Sequence, residues 1–125
     1  MTLSPPDPAL RACVVVPARN EEDLIAPCLL ALATQMDVEP EEYEVLLVLD
    51  HCTDHTEALA REIAAECPRL RLHFFDGPAE GSGAARRVGM DAARDRLLRM
   101  GRPEGLVACT DADTVVARDW ISAQL

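Results

Sequence analysis

Short, nearly unbroken apolar runs alternate along this chain with longer stretches in which apolar residues recur every three or four positions. Ala12–Val16 is one such run, small and β-branched, the pattern of a strand buried on both faces of a parallel sheet. Tyr43–Leu49 is a second, Leu70–Phe75 a shorter third, and Leu106–Cys109 a fourth. Between them, Leu24, Ile25, Cys28, Leu29 and Leu32 follow helical spacing. Pro27 requires that helix to start late or kink. Asp54-x-x-Glu57 resembles a capping box that opens a helix to Glu66, and Cys67-Pro68 stops it. Ala84–Met100 predicts a helix with arginines on its outer face, and Trp120–Leu125 predicts the start of another.

The order β-α-β-α-β-α-β with short loops predicts an α/β fold: a mostly parallel sheet between two helical layers, joined by right-handed crossovers. The chain has the length of one domain. Residues 1–10 carry Pro5, Pro6 and Pro8 and read as a disordered lead, which leaves 11–125 as the folded unit.

Composition narrows the functions available. Apolar residues make up 49% of the chain, enough for a core, but only 3% are aromatic, so Ala, Val, Leu and Ile must build it. The formal charge is −10, all twelve basic residues are Arg, and the pI is near 4.6. Nucleic acid is thereby excluded as a partner, because phosphate backbones need a basic face. Five irregularly spaced cysteines form no disulfide framework. The N-terminus lacks signal-peptide character, and no apolar run approaches the roughly 20 residues that span a bilayer. A cytoplasmic location with reduced thiols is the expectation.

Chemistry gathers where the strands end. Cys109-Thr110-Asp111-Ala112-Asp113 places two carboxylates one residue apart behind the fourth strand. In open α/β sheets ligands bind at strand C-termini, and hard oxygen ligands suit Mg²⁺ or Mn²⁺ bridging to a diphosphate. Pro17-Ala18-Arg19-Asn20-Glu21 follows the first strand, where a proline can shape a loop against a flat ring; an Asn-capped turn explains the same residues. Asp50-His51-Cys52-Thr53-Asp54-His55-Thr56 follows the second, and Asp50 there can accept from an imide or a ribose hydroxyl, or serve turn chemistry. The C-x-x-H spacing in this segment lacks the second ligand pair of a structural zinc site. Gly77–Arg87 supplies glycines, a helix N-terminus and two arginines, all suited to phosphate. Neither G-x-x-x-x-G-K-[ST] nor, after the first strand, G-x-G-x-x-G is present.

Together these segments resemble the family 2 glycosyltransferases of the GT-A class. Val14–Glu21 is similar to that family's opening motif. Leu47–Thr56 is similar to its second-strand motif, with His51 and Cys52 in place of the usual Asp-Gly. Gly81–Gly89 resembles its Gly-x-x-x-Ala-Arg-Asn-x-Gly segment, with Arg87 in place of Asn, and Asp111-Ala112-Asp113 resembles its metal motif.

The resemblance implies a GT-A-like three-layer α/β/α fold and transfer of a sugar from a nucleoside diphosphate sugar, of UDP or GDP type, to an acceptor, with inversion. Pro17, Arg19 and Glu21 would line the nucleoside pocket and Asp50 would bind the base. Gly81 and Arg86 would sit near the base or diphosphate. Asp111 would face the ribose or the metal's water shell, and Asp113 would hold Mg²⁺ or Mn²⁺. In this family the catalytic base follows the metal motif in a second half, whereas this chain ends twelve residues after Asp113. The resemblance therefore implies a truncated donor- and metal-binding half, for which no base can be named, with exposed apolar surface suited to self-association or to pairing with a C-terminal half. Two further readings stay open: a sugar-phosphate nucleotidyltransferase, and an inactive nucleotide-binding or assembly fragment.

Overall fold

The computed structural model describes residues 3–125. Strands β1 (Ala12–Ala18), β2 (Tyr43–Leu49), β3 (Leu72–Asp76) and β4 (Leu106–Cys109) form one sheet in the order β3-β2-β1-β4. All three pairings are parallel, as the alternation of elements predicts. Each strand connects through a helix: α1 (Ile25–Ala33), α2 (Thr56–Glu66) and α3 (Ser82–Arg99).

β1 and β2 are buried at every position because both sheet faces are covered. Val14, Val16, Val45 and Leu47 pack with Ile25, Leu29, Leu32, Ala60 and Ile63 on the α1–α2 side. Cys13, Val15, Leu46 and Val48 pack with Ala85, Ala93 and Leu97 of α3 on the other. The core is almost wholly Ala, Val, Leu and Ile, as the scarcity of aromatics requires. α3 approaches the sheet closely at Gly89, where an added Cβ would lie 2.4 Å from Val15 Cγ1 and 2.9 Å from Val48 Cγ2.

Several local expectations change. Pro27 falls in the first turn of α1, where a missing N–H costs no intrahelical bond, so the helix starts late and needs no kink. Asp54-x-x-Glu57 does not form a capping box. His55 precedes the first turn of α2, and Asp54 Oδ1 takes the N–H (3.0 Å) and hydroxyl (2.5 Å) of Thr56. The C-terminal helix is a 3₁₀ turn over Ser122–Gln124. The helix containing the arginines does not turn all of them outward: Arg96 is buried. Met1 and Thr2 of the proposed lead lie outside the described residues. Within the rest of it, Leu10 is buried on the α3 side and Asp7 pairs with Arg71 at 3.2 Å.

The site follows from the strand order. From β1 the chain builds β2 and β3 on one side, then returns to place β4 on the other. The reversal leaves a crevice at the C-terminal ends of β1 and β4, where such sheets bind ligands. Pro17 helps to open it. Alternate residues of β1 face β4, with Thr110 N–H reaching Val15 O at 3.1 Å. Register ends at Val15–Cys109, so Pro17, two residues on, faces the gap and leaves no β4 carbonyl without a donor.

Candidate functional site

A cavity of about 180 Å³ occupies this crevice and is lined by Pro17, Ala18, Arg19, Glu21, Asp50, Ser82, Ala85 and the Asp111–Asp113 segment. Six of the eight residues expected at a site thus meet here: Pro17, Arg19, Glu21, Asp50, Asp111 and Asp113. Gly81 and Arg86 do not line it. Gly81 precedes the first turn of α3 at φ 102°, a conformation that favours glycine. Arg86 reaches the rim indirectly, donating from Nη2 to Asp111 Oδ1 at 3.0 Å and from Nε to Cys109 Sγ at 3.3 Å.

Asp50 is the best-held acid of the group, 2% exposed at the end of β2. Its N–H donates to Ala18 O at 2.8 Å, continuing the ladder, and its Oδ1 accepts from Ala79 N–H at 2.8 Å. Ala79 adopts φ 58° to present that N–H, an uncommon conformation for a residue with a Cβ. Gly77 allows the contact, because a Cβ there would stand 2.9 Å from Asp50 Oδ1. Asp50 Oδ2 has no protein donor among the described residues.

The loops behind β1 and β2 are stitched together, which fixes Arg19–Glu21 at the mouth. Glu21 N–H donates to Thr56 Oγ1 at 2.8 Å, Glu22 N–H to Asp54 Oδ2 at 3.2 Å, and Thr53 N–H to Asn20 Oδ1 at 2.8 Å. His55 N–H donates to Glu22 Oε2 at 3.1 Å, and its ring lies 2.9 Å from the same oxygen. His55, Asp54 and Cys52 are therefore spent on loop structure, Cys52 Sγ lying 3.4 Å from Ala18 O. Sequence reasoning places Thr56 and Asp54 in the motif-like segment Leu47–Thr56 but does not mark them as supports for Glu21.

Negative charge converges on the cavity. Burial, then the neighbouring carboxylates of Asp113, Asp54 and Asp111, push the Glu21 carboxyl above its ordinary value. Burial, then the carboxylates of Asp113, Glu21 and Asp111, raise the Cys28 thiol to about 12, and Cys28 Sγ lies 3.7 Å from Asp111 O. Asp111 and Asp113 themselves are exposed. Among the described residues no group of three His, Cys, Asp or Glu side chains stands ready to hold a metal. The donor set still fits a hard, hydrated ion: one or two carboxylates, with a substrate's phosphates and water completing the shell.

The profile of "Glycosyl transferase family 2" matches residues 13–125. The chain belongs to this family. Among its family 2 relatives, dodecaprenyl-phosphate galacturonate synthase of Rhizobium johnstonii is 33% identical over 99 residues, covering 74% of this chain and 28% of that protein. S. aureus TarS 1-349, solved in complex with UDP-GlcNAc, superimposes with a TM-score of 0.74 at 26% identity, over 92% of this chain and 30% of that one. The Pyrobaculum calidifontis mannosyltransferase PcManGT, solved with GDP-Man and Mn²⁺, gives 0.59 at 30% identity, over 90% and 31%. The chain thus spans about a third or less of the length of these relatives. Among the described residues no helix is long and apolar enough to cross a membrane.

Proposed function

We propose that this chain binds the nucleoside diphosphate sugar, of UDP or GDP type, for an inverting glycosyl transfer. The observation that carries the reading is the convergence of Pro17, Arg19, Glu21, Asp50, Asp111 and Asp113 on one cavity from the ends of three different strands. In this reading Asp50, anchored by Ala79 through one oxygen, offers the other to an N–H of the base. Pro17 and Arg19 flank the ring, and the Ser82 end of α3 lies toward the phosphates, where a helix N-terminus favours anions.

Asp113, with Asp111, would hold Mg²⁺ or Mn²⁺. A cation bound there would stabilise the negative charge that develops on the departing diphosphate. Arg86 serves the same charge from the rim, and exchanges its Asp111 partner for a phosphate oxygen when the donor enters. Acceptor attack on the anomeric carbon then breaks the sugar–phosphate bond. Support for the donor class comes from TarS and PcManGT, whose solved complexes hold UDP-GlcNAc and GDP-Man with Mn²⁺.

Calorimetric titration of UDP, GDP and their sugars, each with and without Mn²⁺, tests this. The expected result is one nucleoside diphosphate bound, more tightly with Mn²⁺. Absence of heat for every nucleotide, in protein with a cooperative melt, would overturn it.

A further inference from the structure

Charge is unevenly distributed along this acidic chain. Residues 86–102 hold six arginines and two acids, a local +4, so the remainder carries −14. Two of the six are engaged, Arg86 by Asp111 and Arg96 by Glu44. Arg87, Arg94, Arg99 and Arg102 enter no ion pair among the described residues. The opposite helical layer contains α2, which carries Glu57, Glu62 and Glu66.

Arg87, Met90, Arg94 and Leu98 recur three or four residues apart and therefore share one stripe of α3. Arg102 follows four residues later, just past Gly101. Met90 and Leu98 are 41% and 46% exposed, large apolar side chains standing out among cations. A groove of about 380 Å³ between α3 and β4 runs beneath them, lined by Met90, Arg94, Leu97, Leu98, Arg102 and Val107, with Asp91 the one acid among the lining.

We propose that this stripe is a docking surface for an anionic phospholipid bilayer. Arginine heads would meet lipid phosphates while their stems, with Met90 and Leu98, enter the headgroup–acyl boundary. Protruding apolar side chains flanked by cations suit a yielding lipid surface better than a rigid acidic protein. The overall charge does not forbid the contact. Packed layers lie about 10 Å apart, which puts the α1–α2 layer roughly 20 Å beyond α3. That exceeds the Debye length of about 8 Å at physiological ionic strength, so the local charge decides. The inference is independent of donor binding, because the stripe shares no residue with the cavity lining.

Co-sedimentation of the 125-residue chain with vesicles of phosphatidylcholine, alone or with phosphatidylglycerol, tests it. Retention is expected only on the phosphatidylglycerol vesicles, and is expected to fall steeply with added salt. Arg94→Gln and Arg102→Gln should each weaken retention about fivefold, the effect of about 1 kcal/mol per basic side chain at such a surface. Leu98→Asp should weaken it further. Arg69→Gln, outside the stripe, should change nothing, and thermal melts establish that all variants are folded. No retention at low salt, or undiminished retention of the Arg94→Gln/Arg102→Gln variant, would overturn the proposal. Self-association without vesicles that this double variant abolishes would also overturn it, by assigning the stripe to contact between copies.

Discussion

Arg96 of α3 and Glu44 of β2 form an ion pair across the sheet–helix interface with both side chains almost fully buried, 4% and 3% exposed. Arg96 Nη2 donates to Glu44 Oε2 at 2.9 Å, and Nε donates to Oε1. His73 Nε2 lies 3.1 Å from Oε2, and Cys13 Sγ–H donates to Oε1 at 3.4 Å. The carboxylate is fully occupied, and every side-chain polar atom among the described residues that is wholly shut off from solvent has a partner. The pair ties α3, whose first turn borders the crevice at the strand ends, to the centre of the sheet.

Breaking this pair should be more damaging than replacing it. Arg96→Ala leaves an uncompensated buried carboxylate and is expected to cost about 3–5 kcal/mol. A double replacement, Glu44→Leu with Arg96→Leu, should cost less than either single change. Urea denaturation of the three variants measures this. A double variant that loses the sum of the single losses would mean that the two residues act independently.

Acid should weaken the fold through the same group. Burial pushes the Glu44 carboxyl up, but hydrogen bonds and charge from His73 and Arg96 outweigh that and hold it at about 2, against an ordinary 4.5. A carboxyl lowered by folding contributes stability that is fully present above its unfolded value and is lost as pH falls through the folded one. Unfolding free energy should therefore drop between pH 4.5 and about 2, by on the order of 3 kcal/mol. In Glu44→Gln that decline should be shallower. Equal slopes for the two proteins would remove Glu44 as the cause.

This buried cluster is not legible in the sequence, and the reason is physical. The run Tyr43–Leu49 announces a strand because six of its seven residues are apolar or aromatic, so Glu44 passes as a minor interruption. Arginine ordinarily belongs outside, and Arg96 lies 52 residues from the carboxylate that draws it in. Strands β1 and β2 are visible to within two residues because burial on both faces leaves continuous apolar runs; β4, a half-buried edge strand, is visible because its four residues are all apolar. β3, half-exposed at a sheet edge, begins two residues later than its apolar run suggests. The strand-end acids are legible because each follows a recognisable strand. The supports beneath them, Thr56 under Glu21 and Cys109 beside Arg86, depend on loop geometry that spacing does not encode.

Two glycines of the same helix should respond in opposite directions. At Gly89 an added methyl meets Val15 and Val48, side chains at the centre of the sheet that have no room to retreat. Gly89→Ala should destabilise by about 1–3 kcal/mol through overpacking. At Gly83 an added methyl would meet nothing within 4 Å, and the residue lies in the first turn. Gly83→Ala should therefore stabilise by up to about 1 kcal/mol. Thermal melts decide the point. A neutral Gly89→Ala would mean that α3 can lift from the sheet at little cost.

Asp50→Ala should weaken nucleotide binding whether or not metal is present, because its proposed partner is the nucleoside. Losing a hydrogen bond to an ionised group costs about 1.5–3 kcal/mol. The variant also frees Ala79 N–H, so a melt must accompany the titration. An affinity change confined to samples containing Mn²⁺ would place Asp50 in the wrong role.

Substitution of Asp113 should separate metal binding from nucleoside binding. Asp113→Asn keeps the side chain's shape and removes one charge from an exposed position. Nucleoside diphosphate binding should then lose its dependence on Mn²⁺, while metal-free binding through Asp50 stays nearly unchanged. Asp111→Asn should act differently, since Asp111 also holds Arg86 at 3.0 Å. Freeing that guanidinium should raise metal-free affinity for the diphosphate even as the metal's contribution shrinks. If both acids only shape a turn, either substitution would lower the melting temperature without separating the two ligands. Titration of both variants with nucleoside diphosphate, with and without Mn²⁺, distinguishes these outcomes. A folded Asp113→Asn protein with unaltered Mn²⁺ dependence would remove Asp113 from the metal site and with it the proposed route for stabilising the leaving diphosphate.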